Sequence, residues 1–370
     1  METTPTLDVT TLRNWLENGK PVTILDVRPL AERQEWAIPG SIHVDVYDKL
    51  KAGDEHALDN VNVAQHVPVV TVCAAGRMSL KAAGQLQAKG LEVYSLEGGM
   101  KAWSLAWNTA IVPTSLPQVS ILQIRRTGKG CLSYMVASEG EALVIDASLD
   151  EKVYLDLAMM HGWQITYVLD THLHADHLSR SRVLALQTGA KLLLPESDKF
   201  QFSYEPVTSQ TTLPLGKTLL KAIPTPGHTL ESFSYLVGES VLFSGDTLFV
   251  DGIGRPDLKA SADEIRQKAT LLHRSLHTLL ALPESLQVLP GHTSKPVAFD
   301  EEPIVTTIGE LAAKLSWVKV SEEAFAQTLL AKIPATPPNY LTISELNRGG
   351  DFSGIEPMEV EAGANRCAIS

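Results

Sequence analysis

The sequence predicts an α/β protein with two domains, and three observations lead to that prediction. The chain has 370 residues, which is long enough for two domains. Residues 1–106 alternate strand-like runs with helical patterns, which is typical of an α/β domain. Residues 171–177 carry four metal-capable side chains directly behind a β-branched, apolar stretch, where α/β folds place their sites. The strand-like runs of the first part are 22–27, 69–73 and 92–96.

The boundary between the two parts lies near residue 107. Residues 107–117 contain two prolines and show no clear helical or strand periodicity, so we interpret them as a linker. We therefore expect one domain over 1–106 and a second over 118–370, which ends in a helical extension.

Composition limits the possible partners and location. The formal net charge of −12 argues against nucleic acid as a partner. No apolar run is long enough to span a membrane, and the first residues lack the basic and apolar regions of a signal peptide. Three scattered cysteines are too few for a disulfide framework, which indicates a reducing compartment. We expect a cytoplasmic protein with no membrane partner; the sequence leaves a homo-oligomer open.

The first domain contains a cysteine in a position suited to anion chemistry. Cys73 follows an apolar strand and precedes the small-residue loop 74–79, after which the pattern becomes helical. Backbone N–H groups converge in such a loop and stabilise a thiolate or persulfide anion. A free cysteine is also commonly a small buried apolar residue, and the loop alone does not decide between these interpretations.

The motifs around Cys73 resemble the rhodanese family in order and spacing, over nearly all of residues 5–106. The resemblance implies a sulfurtransferase domain in which Cys73 carries sulfane sulfur as a persulfide, with Arg77 in the catalytic loop. The family often has an arginine just before the last serine of this loop, where this chain has Met78. The choice between thiosulfate and other sulfur donors therefore stays open. The motifs are residues 25–28, 38–42, 73–79 and 96–100, followed by Trp103.

The second domain contains four short segments of potential metal ligands, each close behind an apolar stretch. The first is the run 171–177, with His172, His174, Asp176 and His177. The others each offer one ligand beside a glycine. Imidazole and carboxylate ligands suit zinc and non-haem iron. Five of the eleven histidines lie in these segments, which scattered surface histidines would not show. The single ligands are His228, Asp246 and His292.

This order of segments resembles the metallo-β-lactamase superfamily, from about Gln118 to the C-terminus. The resemblance implies an αβ/βα sandwich with the metal at one edge of its sheets. It places Asp146 at an early strand end, where we interpret it as structural. Cys131, in a strand-like run, is interpreted as packed core.

Two further segments resemble the persulfide dioxygenases of this superfamily. Residues 252–257 read Gly-Ile-Gly-Arg-Pro-Asp, and residues 364–367 read Ala-Asn-Arg-Cys. This resemblance implies Fe(II) bound by His172, His228 and Asp246. The substrates would be glutathione persulfide and O2, and the products sulfite and glutathione. Cys73 would either generate the persulfide or dispose of the sulfite, with thiosulfate as a further partner.

An alternative branch with the same segments is the zinc-dependent hydrolase of glutathione thiolesters, resembling glyoxalase II. In the dioxygenase the remaining four ligand-type residues orient the ligands, whereas in the hydrolase they complete two metal sites. They are His174, Asp176, His177 and His292.

Arg255 and Arg366 are candidates for binding substrate carboxylates, with exposed surface arginines as the competing interpretation. Cys367 is expected near the metal. A carrier or sensor without catalysis is a third, non-enzymatic possibility.

Overall fold

The computed structural model describes residues 4–197, 199–258, 260–333 and 335–369. Its N-terminal part is a five-stranded sheet with helices around it. Its strands are β1 (Thr6–Leu7), β2 (Thr23–Asp26), β3 (Ile42–His43), β4 (Val69–Val72) and β5 (Val93–Leu96). Its helices are α1 (Val9–Glu17), α2 (Leu30–Glu35), α3 (Tyr47–Ala52), α4 (Arg77–Gln87) and α5 (Gly99–Trp103). The strand order is β1-β5-β4-β2-β3, and every pair is parallel. The predicted α/β class is confirmed.

The second part begins with a seven-stranded sheet. Its order is β12-β11-β10-β9-β8-β7-β6, and helices α6 and α7 pack on one face. The strands are β6 (Asn108–Val112), β7 (Val119–Arg125), β8 (Leu132–Ser138), β9 (Glu141–Ile145), β10 (Gln164–Leu169), β11 (Lys191–Pro195) and β12 (Glu205–Val207). The two helices are α6 (Glu151–His161) and α7 (Ser181–Thr188).

A six-stranded sheet follows, in the order β13-β14-β15-β16-β18-β19, and a two-stranded sheet joins β17 to β20. The strands are β13 (Thr212–Leu215), β14 (Thr218–Pro224), β15 (Phe233–Val237), β16 (Val241–Gly245), β17 (Ile253–Gly254), β18 (Gln287–Pro290), β19 (Thr306–Thr307) and β20 (Ala368–Ile369). The helices are α8 (Ala262–Leu280), α9 (Ile308–Lys314), α10 (Glu322–Ala331), α11 (Tyr340–Gly349) and α12 (Pro357–Glu361), with a 3-10 turn at Ser316–Val318.

The alternation of side chains along the strands explains the four layers. In β9, Leu143 faces the core between the two large sheets, whereas Val144 faces the helix layer formed by α6 and α7. In β16, Phe243 faces the same central core, and Leu242 packs against α8, α9 and α10 on the other side. Because successive side chains point to opposite faces, apolar strands of this kind need cover on both sides. The result is an αβ/βα sandwich.

The segment predicted as an irregular linker contains a strand. Asn108–Val112 pairs antiparallel with Val119–Arg125 at the edge of the seven-stranded sheet. Burial in this strand does not follow hydropathy, since Asn108 is buried and Ile111 is exposed, so the sequence shows no strand period here. This strand belongs to the seven-stranded sheet, and the domain limits 1–106 and 118–370 stay a prediction. Among the described residues, no helix is both long and apolar enough to cross a membrane.

Candidate functional site

Three predicted ligands meet at one edge of the sandwich. His172 follows β10, His228 follows β14 and Asp246 follows β16, and their ligand atoms lie within 4.8 Å of one another. Asp246 Oδ2 is 3.6 Å from His228 Nε2 and 3.9 Å from His172 Nε2. All three side chains are buried. The strand ends thus bring together residues up to 74 positions apart (246 minus 172) around a common point.

Hydrogen bonds fix which nitrogen of each ring faces that point. His228 Nδ1 lies 2.7 Å from the carbonyl oxygen of Arg255, which can only accept, so this nitrogen carries the proton. Thr171 Oγ1 donates to Asp146 Oδ2 at 2.9 Å and therefore accepts from His172 Nδ1, also at 2.9 Å. Burial lowers the pKa of both rings, which keeps them neutral. Both Nε2 lone pairs are left to bind a metal.

The carboxylate of Asp246 completes a set that fits a cation. Its Oδ1 accepts a hydrogen bond from His292 Nδ1 at 2.5 Å, whereas its buried Oδ2 has no hydrogen-bond partner. A buried carboxylate oxygen facing two imidazole lone pairs is costly without a positive charge between them. Two histidines and one carboxylate are the ligands of non-haem iron sites and also suit zinc.

A second cluster lies directly beside these ligands. Asp176, His177, His292 and Cys131 are buried and offer ligand atoms within 4.8 Å of one another. His292 joins the two clusters, because its Nε2 lies 2.7 Å from Asp176 Oδ2 while its Nδ1 contacts Asp246. Burial lowers the pKa of His292, but the carboxylates of Asp176 and Asp246 outweigh this effect and raise it well above its usual value. The two carboxylates thus favour the protonated form of the His292 ring.

His174 does not join the group of His172, His228 and Asp246. Its Nε2 lies 3.0 Å from Asp146 Oδ1, and it forms a separate cluster with Asp146 and Asp170. Its Nδ1 is buried without a hydrogen-bond partner. Asp146 has a φ of 55°, in the left-handed region. Its Oδ1 also accepts from the backbone N–H of Thr171 at 2.7 Å, so Asp146 fixes the start of the ligand loop.

The predicted sulfur-carrying cysteine lies at the end of β4 in the first part of the chain. Cys73 is buried, and its Sγ accepts a hydrogen bond from Ser79 Oγ at 3.4 Å. Ser95 Oγ donates in turn to Ser79 Oγ at 2.9 Å. The loop enters α4 through Gly76 at φ 87°, a conformation that favours glycine. Arg77, at the start of α4, is exposed.

Comparison with known proteins identifies both parts of the chain. A family model described as Metallo-beta-lactamase superfamily matches residues 126–292, and one described as Rhodanese-like domain matches residues 8–106. The hydroxyacylglutathione hydrolase of Nitrosococcus oceani is 32% identical over 221 residues, which cover 58% of this chain and 76% of that protein. The chain belongs to the metallo-beta-lactamase superfamily. Its N-terminal domain is rhodanese-like, as the sequence motifs predicted.

Two solved structures resemble the metallo-beta-lactamase domain. A metallo-beta-lactamase from Staphylococcus aureus has a TM-score of 0.59 and 26% identity, covering 63% of this chain and 74% of that one. ETHE1 from Myxococcus xanthus has a TM-score of 0.54 and 27% identity, covering 62% of this chain and 97% of that one. The protein is therefore an enzyme of this superfamily with a rhodanese-like domain attached.

Sequence reasoning missed that Cys131 takes part in the second cluster. We expected it to be packed core; it is indeed buried, but its Sγ donates to Asp176 Oδ2 at 3.4 Å. Burial and the charge of Asp176 raise the pKa of this thiol, yet the charges of His292 and Arg126 lower it overall to about 7. Cys131 reaches the site because its backbone forms an isolated antiparallel bridge with His292. Such a non-local pairing has no signal in the nearby sequence.

The C-terminal tail reaches the same clusters. Asn365 Nδ2 donates to Asp176 Oδ2 at 3.1 Å, a contact that sequence reasoning missed. Cys367 offers its Sγ within 4.8 Å of ligand atoms of Asp246 and His292. Burial, together with the charges of Asp246 and Asp176, raises the pKa of Cys367 well above its usual value, which favours the neutral thiol.

The two arginines that we expected to bind substrate carboxylates face other partners. Arg255 is fully buried and holds Asp257 through two hydrogen bonds of 2.7 Å. Arg366 Nη2 pairs with Glu35 of the rhodanese-like domain at 3.1 Å. Neither arginine lines the cavity beside His228. That cavity presents different cations, namely Lys199, Lys268 and Arg348.

Proposed function

We propose that the protein oxidises glutathione persulfide with O2 to sulfite and glutathione at a single Fe(II), and that its rhodanese-like domain transfers sulfane sulfur. The observation that carries the proposal is the compact group of His172, His228 and Asp246, from which His174 is absent. Two histidines and one carboxylate leave coordination positions open, as oxygen-activating iron sites require. The likeness to ETHE1 also supports the proposal.

The chain's own residues would hold the metal and fix its ligands. An Fe(II) bound by His172, His228 and Asp246 would supply open positions for the persulfide and the electrons that react with O2. Thr171 and the Arg255 carbonyl hold the two rings in the tautomers that ligation needs. His292 binds the other oxygen of Asp246 and so directs Oδ2 toward the histidines.

The cavity beside His228 is suited to an anionic substrate of glutathione size. It has a volume of about 320 Å³, and its charged lining residues are Lys199, Lys268, Arg348, Glu231 and Glu264. Glutathione persulfide carries two carboxylates besides its sulfur, and Lys268 would pair with one of them. Lys199 and Arg348 would have to exchange their present partners, Glu231 at 2.6 Å and Glu345 at 3.0 Å, for the substrate. The reaction balances as glutathione persulfide plus O2 plus water giving glutathione, sulfite and two protons.

A zinc-dependent hydrolase of glutathione thiolesters is the second candidate. The specific observation in its favour is a set of buried atoms without hydrogen-bond partners, namely His174 Nδ1, Asp176 Oδ1 and His177 Nε2. His174 Nε2 and His177 Nδ1 face carboxylate oxygens, so in the neutral rings the opposite nitrogens carry lone pairs, which a second metal ion would bind together with Asp176 Oδ1. The identity to a hydroxyacylglutathione hydrolase points in the same direction. In this case the metals would lower the pKa of a water molecule for attack on the thiolester.

The test is oxygen uptake by iron-loaded protein after addition of glutathione persulfide. We expect one O2 to be consumed per sulfite formed. His228→Ala should abolish uptake, whereas His66→Ala, a change at an exposed histidine of the rhodanese-like domain, should leave it intact. Absence of uptake, together with hydrolysis of S-lactoylglutathione by zinc-loaded protein, would replace the dioxygenase with the hydrolase. The cytoplasmic location and a homo-oligomer stay predictions.

A further inference from the structure

Helix α8 carries a pair of histidines that belongs to none of the ligand clusters described above. His273 and His277 are four residues apart, so their side chains lie on the same face of the helix. Their Nε2 atoms are 3.2 Å apart, and their ring centroids are 4.4 Å apart. The proposed reaction uses neither ring. Two imidazole nitrogens this close together on one helix face have the arrangement of a chelating pair.

A third donor atom adjoins the pair. The carbonyl oxygen of Val320, in the segment that leads into α10, lies 2.9 Å from His273 Nε2. Two imidazole nitrogens and a carbonyl oxygen all offer lone pairs to a divalent cation. Ligand atoms bound about 2.0–2.1 Å from a zinc ion lie about 2.8–3.4 Å from each other in an octahedral or tetrahedral shell. The two measured spacings, 3.2 and 2.9 Å, fall in this range.

Protons alone satisfy these three atoms poorly. If His273 Nε2 carries the proton, its single N–H group is shared between Val320 and His277, which weakens both contacts. If His277 Nε2 donates to His273, the lone pair of His273 faces the carbonyl oxygen at 2.9 Å. Protons on both nitrogens would place two N–H groups against each other. A metal ion, in contrast, would accept lone pairs from all three atoms at once.

The surroundings hold one ring in place and leave the other open to solvent. His273 is buried, and its ring packs against Phe325 of α10 at a centroid distance of 5.0 Å. Phe325 stacks in turn on Trp317, at 5.6 Å and an interplanar angle of 8°. His277 is exposed, so an ion can reach the pair from solution and water can complete its coordination shell.

The charged groups beside the pair do not oppose a cation. Arg274, which lies between the two histidines in the sequence, pairs with Glu322 Oε1 at 2.8 Å, so its charge is compensated. The hydrogen bond from Arg274 lowers the pKa of Glu322, and a positive charge at His273 adds to this effect. A positive charge at the pair is therefore attracted by Glu322.

We propose that His273, His277 and the Val320 carbonyl bind a divalent transition-metal ion, separate from the catalytic metal. Imidazole ligands suit Zn²⁺, Ni²⁺ and Cu²⁺, and other zinc sites also use two histidines four residues apart on a helix. Two of the ligands come from α8 and the third from the segment before α10, so the ion would join these two elements. The proposal holds for either candidate reaction, because it does not depend on the metal centre.

Binding at this site would stabilise the folded protein. The unfolded chain does not hold the three donors together, so the ion favours the folded state. Another side of α8 supports the proposed active site. Ser275 Oγ donates to the carbonyl of Pro226 at 2.8 Å, two residues before His228, and Lys268 lines the cavity beside His228. The ion would therefore fasten a helix that contacts the loop of a catalytic ligand.

The test is a calorimetric titration of the metal-free full chain with Zn²⁺, which gives the number of bound ions and their affinities. We expect His277→Ala to weaken one zinc ion at least about tenfold, since loss of a group behind a ligand already costs about 10- to 100-fold. The sites of the metal centre should keep their affinity in this variant. His228→Ala should show the reverse pattern. His66→Ala, at an exposed histidine of the rhodanese-like domain, is the matched control.

Thermal unfolding gives a second measurement that is independent of activity. Zn²⁺ should raise the Tm of His66→Ala as much as that of the original protein, and it should raise the Tm of His277→Ala less. If His277→Ala binds the same number of zinc ions with unchanged affinities, the two histidines form an ordinary contact and the proposal is wrong. Equal weakening in His277→Ala and His66→Ala would indicate unspecific binding to surface histidines and would also overturn it.

Discussion

The hydroxyl group of Thr171 is expected to control the affinity of the metal site without touching the metal. It donates to Asp146 Oδ2 and accepts from His172 Nδ1, both at 2.9 Å, and the side chain is buried. Thr171→Val keeps the shape and removes both hydrogen bonds. An unsatisfied His172 Nδ1–H and a carboxylate with one fewer donor each cost about 1–3 kcal/mol. Without these hydrogen bonds the His172 ring can rotate or adopt the other tautomer, and both changes compete with metal binding.

We expect Thr171→Val to weaken metal binding by about 10- to 100-fold, the usual effect of losing a partner behind a ligating histidine. The measurement is a competition titration of apo-protein and a chelator with Zn²⁺ and, without oxygen, with Fe²⁺. Thr171→Ser retains the hydroxyl and is the control, which should bind within a few-fold of the original protein. Unchanged affinity in the valine variant, with a folded far-UV spectrum, would show that Thr171 does not fix the ring.

Three further predictions concern the tail, the sulfur-carrying loop and the metal. Glu361→Ala leaves buried Arg126 without its carboxylate partner at 2.7 Å. The free energy of unfolding, measured in urea, should therefore fall by about 3–5 kcal/mol, and a loss below about 1 kcal/mol would contradict this prediction. Gly99→Ala places a Cβ about 2.2 Å from the Cys73 carbonyl oxygen, so sulfurtransferase activity should fall while oxygen uptake with supplied persulfide persists. Removal of metal by a chelator should abolish oxygen uptake and leave thiosulfate–cyanide transfer unchanged, which a sulfur-transfer assay checks directly.

The ligand segments could be predicted because their geometry is local. His172 and Asp246 each follow an apolar strand, and such strands end at a common edge of the sandwich. The contribution of Cys131 could not be predicted, since it depends on a backbone bridge to His292, which lies 161 residues away (292 minus 131). The role of the Arg255 side chain could not be predicted either, for a different reason. Its motif is recognisable, but only the structure shows that Asp257 occupies its guanidinium group.

The C-terminal tail lies where the two domains meet, and buried charged groups hold it there. The carboxylate of Glu361 accepts from Arg126 and from the backbone N–H of Leu178, the residue after the ligand run. Arg126 also donates to the carbonyl of Ser104 in the rhodanese-like domain, at 2.9 and 3.1 Å. A buried charge with partners in both domains is costly to separate. Arg126 and Glu361 therefore join Ser104 of the rhodanese-like domain to the backbone at Leu178, so loss of this pair is expected to reduce stability rather than to link the two activities.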